Sequence, residues 1–257
     1  MTMNWVVVTR DAPVWQLRLD RPEKKNALTA AMYTALADAL DAASSEPACR
    51  ALLLAGAGDC FTAGNDLAEF ANPGERGAFT PVARFLSAIS RFDKPLLAAP
   101  CGLAIGIGTT MLLHCDFAIA GSNARFQLPF VNLGLCPEAG SSYLLPRLAG
   151  YQRAAQLLLL GEPFDAAQAQ AIGLVSDVVD AADAVPRALA LAHKLAAKPP
   201  AALRASKALL RRSTAATIAD TIAAESAQFT TLLGSAEAKE AFTAFFERRP
   251  ADFSRFN

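Results

Sequence analysis

Residues 95–99 (PLLAA), 106–114 (GIGTTMLLH) and 115–120 (CDFAIA) stand in succession as a strand-length apolar run, a glycine-led helical pattern and a second apolar run. Strand, turn and helix repeated in this order are the signature of an α/β core. The first run, continued into Leu103, is expected as one buried strand, and residues 115–120 as the next. Residues 51–55 (ALLLA) show no polar alternation at all, which fits a strand covered on both faces in a parallel sheet with helical crossovers. Upstream, residues 4–9 and 14–19 read as two strands around Asp11-Ala12-Pro13, and residues 29–43 as a helix. From Tyr151 onward helical spacing dominates: residues 152–160, 166–172, 181–197, 201–212, 218–233 and 237–248 all carry it.

The chain has 257 residues, 53% of them hydrophobic, enough for one large core with an appended region. Its 24 Lys and Arg balance its 24 Asp and Glu, so overall charge points neither to nucleic acid nor to an anionic membrane. The longest apolar run, residues 95–107, is too short to span a bilayer and is broken by Pro100, Gly102 and Gly106. The N-terminus lacks the pattern of an export signal, and the last three residues are not a peroxisomal address, so the expected location is cytoplasmic. Cys49, Cys60, Cys101, Cys115 and Cys136 are odd in number and unpaired in spacing, as reduced, packed thiols would be. His114 and His193 are the only histidines, which leaves little material for a histidine metal site or a Ser/His/Asp triad.

Three segments carry candidate chemistry. Residues 61–67 (FTAGNDL) hold Ala63 and Gly64, small enough for backbone to approach a ligand, with the Asn65 N–H beyond them. An ordinary strand-to-helix connection, with Asp66 offsetting the helix dipole, accounts for the same residues. In residues 102–108 (GLAIGIG) the glycines do not follow the dinucleotide-binding spacing. They permit either close helix-to-strand packing or an exposed Ile107 N–H facing the first donor, an oxyanion hole. Glu138 follows Pro137 at an expected helix start within apolar sequence. It is either simple helix-start chemistry or a desolvated carboxylate with raised proton affinity, suited to deprotonating carbon acids. Residues 73–77 (PGERG) read as a polar loop open to ligand entry.

Taken together, residues 21–28 (RPEKKNAL), 61–67, 102–108, Cys115-Asp116 and 169–175 (AQAIGLV) resemble the enoyl-CoA hydratase/isomerase, or crotonase, superfamily, in order over nearly the whole chain. The resemblance implies an α/β spiral of ββα units in residues 1–195, and a helical region in residues 196–257 that builds homotrimers, often paired as hexamers. It implies an acyl-CoA thioester as substrate, its carbonyl oxygen held by the Asn65 and Ile107 N–H groups, with Lys24, Lys25 and Ala27 near the CoA nucleotide and Ala63, Gly64, Asp66 and Leu67 along the pantetheine path. Coenzyme A belongs to the substrate, and no separate cofactor, metal, nucleic acid or membrane partner is expected. Hydratases of the superfamily use two glutamates; the matching positions here are Thr110 and Phe130, neither able to serve. Residues 133–143 instead resemble the Δ3,Δ2-enoyl-CoA isomerases, in which one glutamate, here Glu138, is the base, and Phe130 would form part of an apolar wall. The implied activity is conversion of 3-enoyl-CoA to trans-2-enoyl-CoA; hydration or other thioester enolate chemistry, or an idle binding module on the same fold, are the alternatives.

Overall fold

The structure, a computed structural model, describes residues 5–70 and 79–256; the proposed entry loop at residues 73–77 lies outside the described residues. Strands β1 (Val6–Thr9) and β2 (Val14–Leu19) pair antiparallel, and then β3 (Ala51–Gly56), β4 (Leu96–Ala99), β6 (Phe117–Gly121) and β9 (Asp177–Val179) extend a six-stranded sheet in parallel, in the order β1-β2-β3-β4-β6-β9. A second sheet of three strands joins β5 (Leu103–Ile105), β7 (Arg125–Gln127) and β8 (Phe164–Asp165).

The unbroken apolar reading of β3 has a simple cause: both sheet faces are covered. Leu52 and Leu54 of β3, with Leu96 and Ala98 of β4, face one core shared with helices α1 (Ala30–Ser45) and α3 (Phe79–Arg91). The alternate residues Ala51, Leu53, Leu97 and Ala99 face the other, against α8 (Ala184–Ala196). Successive strand side chains point to opposite faces, so a strand buried on both must be apolar throughout. Helix α8 meets the sheet through Ala188, Ala192 and Ala196, one methyl per turn, which lets the helix lie close.

Residues 95–103 depart from the single strand expected of them. Strand β4 ends before Pro100, which has no N–H to continue a ladder, and β5 begins at Leu103 in the other sheet. This change of sheet brings residues 103–107 alongside residues 62–65: Thr62 N–H donates to Leu103 O (2.9 Å) and Ile105 N–H to Thr62 O (3.0 Å). The expected helix at residues 106–114 is two short pieces, α4 (Ile107–Thr110) and a 3₁₀ turn (Met111–His114).

The remaining helices are α2 (Leu67–Phe70), α5 (Ser141–Ala149), α6 (Tyr151–Ala155), which continues as a π-turn to Leu160, α7 (Ala166–Ala171), α9 (Pro200–Arg211), α10 (Ala215–Leu233) and α11 (Ala236–Glu247). Phe229, Leu233 and Phe242 are buried in the main core, whereas Phe245 and Phe246 are exposed. The apolar residues of the last two helices thus divide between the chain's own core and its surface. Among the described residues no helix is long and apolar enough to cross a membrane.

Candidate active site

The two parallel segments border one cavity of about 390 Å³, lined among others by Ala63, Gly64, Asn65, Leu67, Gly106, Ile107, Phe130 and Glu138. Asn65 follows a bridge in which Leu28 N–H donates to Gly64 O (2.8 Å), and Asp66 N–H returns to Leu28 O (2.9 Å). The Asn65 N–H between them therefore points away from that strand. Ile107 opens α4, where the first N–H groups of a helix have no intrahelical acceptor. Among the described residues neither N–H has an acceptor in the chain. Gly64 is required here: its φ is +91°, and a Cβ would stand 2.8 Å from Ile105 O. The Asn65 side chain is held from behind by Tyr33, whose buried hydroxyl donates to Asn65 Oδ1.

Glu138 lines the same cavity. It does not lie in a first helical turn, as the sequence led one to expect. Helix α5 starts at Ser141, and Ala139 (φ +60°) and Gly140 (φ +73°) form a left-handed turn between Glu138 and the helix. The helix dipole is thus not the main influence on this carboxylate. Glu138 is buried, its Oε1 has no hydrogen-bond partner among the described residues, and burial, followed by the charge of Glu225, pushes its pKa up to about 8. A carboxylate stripped of water and of donors in this way binds a proton far more tightly than it would in solvent.

The turn is held from two distant elements. His114 Nε2 lies 2.8 Å from Ala139 O, and since a carbonyl only accepts, that nitrogen carries the hydrogen. Burial lowers the His114 pKa to about 4, so the ring is neutral at physiological pH. From α10, Glu225 accepts from Gly140 N–H at 2.6 Å and from Ser142 N–H at 2.9 Å, and also from the Ser142 hydroxyl.

Of the residues singled out from sequence, Glu138, Asn65, Ile107, Ala63, Gly64, Leu67 and Phe130 line the cavity. Lys24, Lys25, Ala27 and Asp66 do not. Lys24 and Lys25 are exposed on the turn after β2, joined to the site through Ala63 N–H, which donates to Lys25 O (2.9 Å). Asp66 is engaged by Arg21 at 2.7 Å and accepts from Ala68 N–H, a bracing role at the start of α2. Thr110 is fully buried, and it and Phe130 offer no ionisable group. Glu225 and His114 were missed as site residues. Glu225 had a signal: Ile218, Ile222 and Phe229 mark the inward phase of α10, and Glu225 falls on that same stripe.

A family model described as enoyl-CoA hydratase/isomerase matches residues 9–255. The chain belongs to the enoyl-CoA hydratase/isomerase family. It is 37% identical to a 2,3-dehydroadipyl-CoA hydratase of Escherichia coli over 98% of this chain and 99% of that one, and 34% identical to a crotonyl-CoA hydratase of Syntrophomonas wolfei over the same shares. Among solved structures, an enoyl-CoA hydratase/isomerase from Pseudoalteromonas atlantica superposes with a TM-score of 0.94 at 42% identity, covering 97% of this chain and 100% of that one. OdaA of Pseudomonas aeruginosa gives 0.91 at 45% identity over 95% and 100%. The crotonase fold and an enzyme of this family's CoA-thioester chemistry follow from these likenesses.

Proposed function

We propose that the protein shifts the double bond of a 3-enoyl-CoA to the trans-2 position, with Glu138 as the one proton carrier. The observation that carries this reading is a buried glutamate, the one carboxylate among the described lining residues, sharing a largely apolar cavity with two unengaged peptide N–H groups. The ionised Glu138 takes the proton from carbon 2, breaking that C–H bond and leaving a dienolate. Its charge reaches the thioester oxygen, where the Asn65 and Ile107 N–H groups donate to it; one such donor is typically worth about 3 to 4 kcal/mol. The protonated Glu138 then delivers the same proton to carbon 4, so that the double bond lies between carbons 2 and 3 and the carboxylate is regenerated. Phe130 and Leu135 keep water from this step. Lys24 and Lys25, exposed on the turn after β2, are candidate cations for the CoA phosphates, and the exposed Phe245 and Phe246 are candidates for contacts between copies in a trimer or hexamer.

Hydration of a 2-enoyl-CoA is the second reading, favoured by the names of the sequence relatives. Against it stand Thr110 and Phe130, which supply no second acid or base to hold and activate a water molecule. Parallel assays with a 3-enoyl-CoA and with crotonyl-CoA separate the two. Appearance of conjugated thioester from the first, with little 3-hydroxyacyl-CoA from the second, supports isomerisation; rapid hydration of crotonyl-CoA without conjugation of the 3-enoyl ester refutes it.

A further inference from the structure

We infer that Glu225 is a positioning residue for this reaction: as an anion on α10 it fixes the turn that carries Glu138 and keeps a negative charge beside it. The inference rests on Glu138 being the proton carrier.

The two buried glutamates sit in opposite hydrogen-bonding environments. Every contact Glu225 makes at the turn is with a donor: Gly140 N–H to Oε2, and Ser142 N–H and hydroxyl to Oε1. Donors favour the ionised form of a carboxylate. Glu138 has an oxygen with no donor at all among the described residues. When two carboxyls share a buried region, the better-solvated one ionises first and its charge opposes the second. Burial raises the pKa of both groups, yet Glu225 alone has its ionised form supported by the chain. The first proton therefore leaves Glu225 and the last is retained by Glu138.

The other titratable groups around Glu138 leave this division intact. Tyr33 of α1 is held protonated by burial and then by Glu138 itself, and the Cys136 thiol by burial and then by Glu225. His114, behind the Ala139 carbonyl, is neutral, and Lys207 and Arg211 of α9 act on that ring. Glu225 is the charged neighbour that raises Glu138. It also bears on geometry, because the left-handed conformation of Ala139 is unfavourable for a residue with a Cβ and persists only where surrounding contacts impose it. Glu225 grips the backbone immediately after that residue.

The test compares the pH dependence of kcat/KM for the wild type, E225Q and E225D, each checked for folding by its melting curve. The acid limb of the wild type is expected to move to lower pH in E225Q by about one unit, with kcat down about tenfold. In E225D, which keeps the charge, the limb stays near the wild-type position even where kcat falls. An unmoved limb in folded E225Q overturns the inference, since loss of structural support alone lowers rate without relocating it. Should E225Q not fold, carbon-13 titration of glutamate carboxyls in the wild type decides: a Glu138 signal with two inflections, the first coinciding with ionisation of Glu225, is expected, and two independent single curves overturn it. E138Q separates the two layers. If E138Q retains turnover, the proposed function itself fails; if E138Q is inactive but the limb is indifferent to Glu225, only the present inference does.

Discussion

The amide wall and the carboxylate wall line a single cavity but are built by different means. The Asn65 and Ile107 N–H groups are aimed by backbone register, through the Thr62–Ala104 and Leu28–Asn65 bridges, and depend little on which side chains surround them. Glu138 rides a left-handed turn held by side chains from remote parts of the chain, His114 after α4 and Glu225 on α10. A wall made of register tolerates substitution except where a Cβ meets backbone; a wall made of side-chain contacts is sensitive to each contact.

The largest effect expected from breaking this contrast is at Glu138. E138Q keeps the shape of the carboxylate wall and removes its proton chemistry, so turnover of a 3-enoyl-CoA should fall by about 10²- to 10⁴-fold while a CoA ester still binds. The amide wall should yield next. Gly64→Ala sets a Cβ against Ile105 O in a conformation that disfavours side chains, and turning the Asn65 N–H away should lower kcat by about 10²- to 10³-fold. Initial-rate measurements check both.

The pH dependence sharpens the contrast, because only one wall titrates. With Glu138 raised to about 8, kcat/KM for isomerisation should climb as pH rises toward 8 and then level off. Stability runs the other way. A carboxyl whose pKa is raised by folding contributes stability that is complete below its unfolded value, about 4.5, and is lost as pH rises through about 8. E138Q should therefore melt progressively higher than the wild type as pH increases across that window, a trend that thermal scans at several pH values would detect or deny.

Smaller effects separate support from chemistry. His114→Leu leaves the buried Ala139 carbonyl without its donor and should cost about 1 to 3 kcal/mol in urea unfolding. Asp66→Asn weakens the partly exposed contact with Arg21 on the amide side and should cost no more than about 1 kcal/mol by the same measurement.

The two walls were also unequally legible in the sequence. FTAGNDL and GLAIGIG are local, so their glycines and adjacent donors could be found by reading along the chain, and Glu138 stood out as a lone acid among apolar residues. The sheet that aligns the two amide segments was only partly visible. Strands β7, β8 and β9 are two or three residues long, below any useful periodicity, and the change of sheet at Pro100 looked like one strand. The supports of the Glu138 turn were the hardest to see, because they arise from tertiary contacts: helix α10 was legible, but that its inward-facing Glu225 meets Gly140 and Ser142 was not. Positive φ at Ala139 is equally invisible in a sequence, since alanine gives no sign of it.

The most direct test of the single-carrier account follows a 3-enoyl-CoA deuterated at carbon 2 through one turnover in ordinary water. Glu138 acting as the one proton carrier should place a measurable share of that deuterium on carbon 4 of the 2-enoyl product. Complete loss of the label to solvent, accompanied by 3-hydroxyacyl-CoA as the main product, would contradict it.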